Sequence, residues 1–141
     1  MAIEVTGVAP LVQVFDMPRS MRFYRDVLGF EVTGRSKAFS ENPDDLGWCM
    51  LELGQATIML NTAYDPDDVP AVPDAARWDG HQDTCLYFGC PDVDAAYRHL
   101  LEKGVNVEPP KVAWYGMKQL YLKDPDGFGI CFQWKAGENR G

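Results

Sequence analysis

Two thiols, one carboxylate and one imidazole are the groups in this sequence best placed for chemistry. Cys85 and Cys131 fall on strand-like segments and share a side with Met59. Two thiolates and a thioether make a soft-metal site, whereas two protonated thiols in an apolar setting are small inert hydrophobes. As a redox pair they lack any neighbouring feature that lowers a thiol pKa. Cys49 and Cys90 read as structural. Glu52 is the carboxylate on a central strand that projects to the same side, a candidate base or cation partner, or else an exposed strand end beside Gly54. His81, between Asp79 and Asp83, is a candidate general base or a solvated loop residue, and His99 reads as surface.

Flat and polar groups surround these. Phe39, Trp48, Trp114 and Tyr115 offer aromatic faces to a planar or cationic ligand, with loop packing or a dimer interface as the alternative. Gln13, Met50, Asn61, Tyr87, Gln119, Tyr121 and Gln133 lie on the same side by strand alternation, with Asn61 and Gln133 at matched places in two repeats. They suit a ligand wall, or the two amides bond each other across a two-fold axis. There is no glycine-rich phosphate loop, nucleophile elbow or zinc-protease motif, and the aspartates of 63–82 lack calcium-loop spacing.

A net charge of −8 and a pI near 4.6 exclude a nucleic-acid partner, because phosphate binding needs clustered Lys and Arg. Cationic or neutral ligands fit better. No apolar run reaches the roughly 18 residues that span a bilayer, and the start lacks signal-peptide character. A cytoplasmic protein with four reduced cysteines is expected.

The elements that must position these groups repeat. In 16–32, DMPRSMRFYRDVLGFEV, Asp16 caps a helix, Met17, Met21, Tyr24 and Leu28 form its apolar stripe, Gly29 ends it and a strand follows. From Asp92, DVDAAYRHLLEKGVNV repeats the plan, with Leu100 and Leu101 in the stripe and a strand at 105–107. Strands are expected at 8–15, 30–35, 48–53, 56–62, 84–89, 117–123 and 128–134, with a hairpin turn at 124–127. The stretch 63–83 carries Pro66, Pro70 and Pro73, so it reads as a linker without helix or central strand. One domain results: a βαβββ module at 8–62, an acidic linker at 63–83, a second βαβββ module at 84–134 and a polar tail at 135–141. Val12, Val14, Ile58, Leu60, Leu86, Phe88, Ile130, Phe132 and Trp134 should pack on the helices.

With S-x-x-F-Y-x-x-x-L-G-F after the first strand and the late D-P-D-G hairpin, the chain resembles the vicinal oxygen chelate superfamily, which includes glyoxalase I, extradiol dioxygenases and bleomycin-resistance proteins. The resemblance implies an α+β fold of two βαβββ modules, with curled mixed sheets enclosing a cleft, often in a homodimer. Metal-dependent members carry His and Glu on the first and last strand of each module. Here those places fall to Ala9, Met59, Cys85 and Cys131, which puts metal-dependent chemistry in doubt. The expectation is therefore a metal-free protein with no cofactor, resembling the bleomycin-resistance branch, that sequesters a small aromatic or cationic molecule. The alternatives are a lyase, isomerase or dioxygenase with a displaced metal site, using Glu52, His81 and the thiols, and a thiol sensor for soft metals or arsenicals.

Overall fold

The structure is a computed structural model and describes residues 1–137, so the end of the expected tail, 138–141, lies outside the described residues. The chain divides into two compact units, Met1–Val69 and Pro70–Gly141.

In the first unit, strands β1 (Leu11–Val14), β2 (Glu31–Arg35), β3 (Trp48–Leu53) and β4 (Ala56–Thr62) form a sheet in the order β1-β4-β3-β2. β1 runs parallel to β4, with Leu11 beside Met59, and the other pairs are antiparallel. Alternation sends Val12, Val14, Cys49, Leu51, Ile58 and Leu60 to one face, where all are buried. The first strand is shorter than 8–15. Pro10 has no N–H to donate, and its carbonyl accepts from the Met59 N–H at 2.8 Å just outside the strand.

Asp16 Oδ1 accepts from the Arg19 N–H at 3.3 Å and starts helix α1 (Met17–Met21), with Pro18 in its first turn. The helix does not continue as one α-helix. It widens into a π-helical turn over Arg22–Val27, where the Leu28 N–H reaches back five residues to the Phe23 carbonyl at 3.0 Å. The apolar stripe survives: Met17, Met21, Tyr24 and Leu28 are all buried. Gly29 at φ +97° then lets the chain turn into β2, a conformation that costs a residue with a Cβ.

In the second unit, β5 (Cys85–Gly89), β6 (Lys111–Val112), β7 (Met117–Lys123) and β8 (Gly129–Lys135) repeat the order as β5-β8-β7-β6. β5 is parallel to β8, and Asp92 caps α3 (Val93–Glu102) through the Ala95 N–H at 2.9 Å. Three expectations need correction. Residues 105–107 form no strand. The Val105 N–H closes the helix end onto the Leu100 carbonyl, Pro109 and Pro110 follow without donors, and pairing resumes only at β6. Leu101 stands 46% exposed instead of joining the buried stripe of Val93 and Leu100.

The third correction is the linker. It contains a 3-10 turn at Pro66–Asp68 and a helix α2 (Ala75–His81) capped by Asp74, whose Oδ1 accepts from the Ala76 N–H at 2.9 Å. The prolines all precede that helix, so the run after Pro73 was free to coil. This helix holds the β7–β8 turn. His81 Nδ1–H donates to the Asp126 carbonyl at 2.7 Å and its ring stacks on Phe128 at 3.9 Å. Gln82 Nε2 donates to the Gly127 carbonyl at 3.2 Å. Inside the turn, buried Asp124 Oδ1 accepts from the N–H groups of Asp126 and Phe128, each at 2.9 Å.

Candidate functional site

Strand register places the singled-out residues of the second unit in rows. Tyr87, Cys131 and Tyr121 lie side by side across β5, β8 and β7, and Gly89, Gln133, Gln119 and Lys111 form the next row across all four strands. The two tyrosines meet hydroxyl to hydroxyl at 3.0 Å, with their rings edge to face at 6.1 Å. Cys131, between them in register, is fully buried while each tyrosine is about half exposed. The pair therefore covers the thiol.

Burial pushes the Cys131 thiol up to about 11, with the Tyr121 hydroxyl bond opposing it. Cys85 is also raised by burial. The Tyr121 hydroxyl is raised too, first by its bond to Tyr87. All three groups are neutral at physiological pH, and both thiols are poor nucleophiles.

The neighbouring row is an amide relay. Gln119, 8% exposed, donates from Nε2 to Tyr115 Oη at 2.7 Å and to Gln133 Oε1 at 2.9 Å. The Gln119 carbonyl oxygen and the Gln133 amide hydrogens keep capacity for further bonds. Beside them opens a cavity of about 550 Å³, lined by Gln119, Tyr121, Lys111, Val112, Ala113 and the 106–109 segment, with the Lys111 ammonium 3.4 Å from the Glu108 carboxylate. Trp114, 95% exposed, and Tyr115 stand edge to face at 5.3 Å on the β6–β7 loop. One sheet thus carries tyrosine hydroxyls, an ordered amide pair and open aromatic surface.

The matching face of the first unit is plainer. Leu11, Met59 and Met50 form one row, and Gln13, Asn61 and Trp48 the next. The Trp48 ring lies over Gly34, where an added Cβ would sit 3.2 Å from its edge. Glu52 stands exposed near the hairpin end of the inner strand β3, opposite Glu31 on the edge strand β2, so two like charges face each other in register. His81 is in the second unit, engaged with the β7–β8 turn as described. Phe39 is away from this sheet face, in the loop bridged by Ala38 and Leu46.

The donors at the family's ligand places do not make a His/Glu metal centre. Ala9 precedes the sheet and has no donor atom, Met59 offers only a thioether, and the Cys131 thiol is covered by tyrosines. Among the described residues no three His, Cys, Asp or Glu side chains converge as metal ligands. The residues present do not fit a hard-metal centre.

Sequence reasoning missed the α2 clamp and a cavity formed by Phe15 and Tyr64 at the end of β1. The signal for the helix was present in the capped, proline-free D-A-A-R-W-D-G-H run.

No curated protein matches the chain. Solved structures do. The crystal structure of TnmS3, an antibiotic binding protein from Streptomyces sp. CB03234, aligns with TM-score 0.67 and 23% identity, over 96% of this chain and 100% of that one. A bleomycin-binding protein complexed with bleomycin aligns with TM-score 0.66 and 18% identity over 92% and 98% of the two chains. A bleomycin resistance determinant encoded on the transposon Tn5 aligns with TM-score 0.68 and 18% identity over 94% and 99%. At these identities the likeness is one of fold. The family model for the Glyoxalase/Bleomycin resistance protein/Dioxygenase superfamily matches residues 6–132, nearly the whole chain. With its two β-α-β-β-β units and this match, the chain belongs to the Glyoxalase/Bleomycin resistance protein/Dioxygenase superfamily.

Proposed function

We propose that this protein binds and sequesters a small aromatic or cationic molecule without a metal and without transforming it. The observation that carries the reading is the sheet face of the second unit. It pairs exposed aromatic surface with preorganised neutral polar groups, its Lys111 ammonium is paired with Glu108, and its thiol is held protonated by burial. Such a surface can stack a planar ligand and orient it through the Gln119–Gln133 amides, while the acidic balance of −8 favours cations. Antibiotic binding by structural relatives supports the same class of ligand. In this reading Gln13, Trp48, Met50 and Asn61 line the corresponding wall of the first unit. Trp114 and Tyr115 border the ligand, and two chains pair so that their faces enclose it. The location is the cytoplasm.

The test combines elemental analysis with thermal shift. Protein purified without an affinity tag should carry no stoichiometric first-row metal. Its melting temperature should rise with a glycopeptide or planar aromatic antibiotic present at saturating concentration, by several degrees at 100 times Kd. One equivalent of iron, zinc, nickel or manganese per chain, or turnover of the ligand, sinks the proposal in favour of an enzyme of this superfamily. A soft ion lost on Cys85→Ser or Cys131→Ser would favour the sensor. A single 15.8 kDa species in sedimentation at micromolar concentration would overturn the paired-chain cleft.

A further inference from the structure

We infer that the first unit carries a separate binding site for a small organic ammonium ion, in the cavity of about 300 Å³ where β1 ends and α1 begins. This goes beyond the sheet-face reading and does not rest on it. The cavity is walled by Phe15, Tyr64, Phe39 and Val69, and carries the carboxylates Asp16 and Asp45, with no Lys or Arg in its lining. Phe15 and Tyr64 stand edge to face at 6.3 Å and 82°. Phe39 is 53% exposed and Val69 47%, so apolar surface lies open to solvent there.

The pairing of the local charges decides the ligand's sign. Arg25 takes Asp44 in a fork, Nη1 to Oδ1 at 2.8 Å and Nη2 to Oδ2 at 2.9 Å. Asp16 is anchored as the helix cap. Asp45, next to Asp44, uses its backbone to fix the loop but has no ion pair or side-chain hydrogen bond among the described residues. It is a carboxylate with its charge uncompensated beside three aromatic rings. An anion is repelled there, and a neutral apolar guest would strip water from Asp45 without replacing it. An inorganic cation needs six or more oxygen ligands that this wall does not supply. An ammonium ion with alkyl substituents satisfies both halves: its charge meets Asp45, and its methyl groups meet ring faces by cation–π and apolar contact.

The probes are choline and its uncharged carbon isostere 3,3-dimethyl-1-butanol, titrated into the ¹⁵N-labelled full chain and followed by amide shifts. Choline should move the signals of Phe39, Asp45 and Tyr64, and bind at least about 10-fold more tightly than the isostere. Asp45→Asn should weaken choline about 3- to 10-fold. Tyr64→Leu, which leaves the carboxylate in place, should weaken it by a similar factor, a second reading should the first variant fold poorly. Equal affinity for the isostere, no effect of either variant, no binding at roughly millimolar probe, or shifts confined to Tyr87, Gln119 and Tyr121 would each overturn the inference. Failure here leaves the antibiotic reading untouched, since that reading is tested with a different ligand through the melting temperature, whereas choline is followed at the amides of the first unit.

Discussion

Gln119→Leu is the sharpest probe of the candidate face, because Gln119 Nε2 spends both hydrogens on neighbours that shape it. The substitution removes two hydrogen bonds, each contributing about 1 kcal/mol net. The leucine regains roughly half of that, since the position is 8% exposed and apolar surface is stabilised by burial there. The expected loss is about 1 kcal/mol, near 3 to 5 °C in Tm for a chain of this length. Gln133→Leu removes one bond and should cost about the same. The informative quantity is the double variant. Once both amides are apolar, neither partner is left unsatisfied, so the pair should be less destabilising than the sum of singles by about 1 kcal/mol. Urea denaturation with an unchanged m-value measures this. Either single variant should also weaken the aromatic ligand about 5- to 10-fold by breaking the Gln119–Gln133 bond that orders the amides. Additive singles, within about 0.3 kcal/mol, together with an unchanged ligand Kd, would refute the idea that this relay orders the face.

Other perturbations test separate parts of the molecule. Cys49 and Cys131, each held near 11 by burial, should resist a thiol reagent at pH 8, where only about one part in a thousand is thiolate. Fast labelling of either in the folded protein would contradict their burial. Because the folded thiols ionise above the unfolded value, their contribution to stability is complete below about pH 9 and is lost as pH rises towards 11, which chemical denaturation across pH 8 to 11 reads. The Arg25 guanidinium holds the Asp44 carboxyl below its ordinary value, so that pair stabilises above the carboxylate range and weakens as pH falls through it. Both side chains are partly solvated, and Asp44→Asn should cost only about 0.5 to 1 kcal/mol near neutrality. His81→Ala should cost about 1 to 2 kcal/mol by removing the Phe128 stack and the bond to the Asp126 carbonyl. An unchanged unfolding midpoint would show that α2 does not hold the turn.

Much of the scaffold was legible because its signals are local. The hairpin strands Trp48–Leu53 and Ala56–Thr62 follow from alternation and the Gly54 turn, and β7 and β8 from the same pattern around D-P-D-G. The caps Asp16 and Asp92 could be read for the same reason. What could not be read depends on geometry beyond the neighbours. The π-helical turn keeps its apolar stripe buried while changing its hydrogen bonds, which periodicity does not distinguish. The hairpin pattern put Cys131 and Tyr121 on one side, yet only register shows two tyrosines closing over the thiol. The clamp of α2 on the β7–β8 turn joins residues 45 apart in sequence, which no local pattern reports.

The widened turn at Arg22–Val27 bears on how the chain tolerates change in length. A π-helical turn holds one residue more than an α-helical path between the same ends would need. Here that surplus sits between Met21 and Leu28, both buried, and upstream of a glycine that turns the chain into β2. Deleting one of the outward residues, Arg22 or Asp26, would let the segment relax to an ordinary α-helix with its end points in place. The same deletion inside α3 would swing Leu100 off the core. The first helix therefore holds slack in its length that the second lacks.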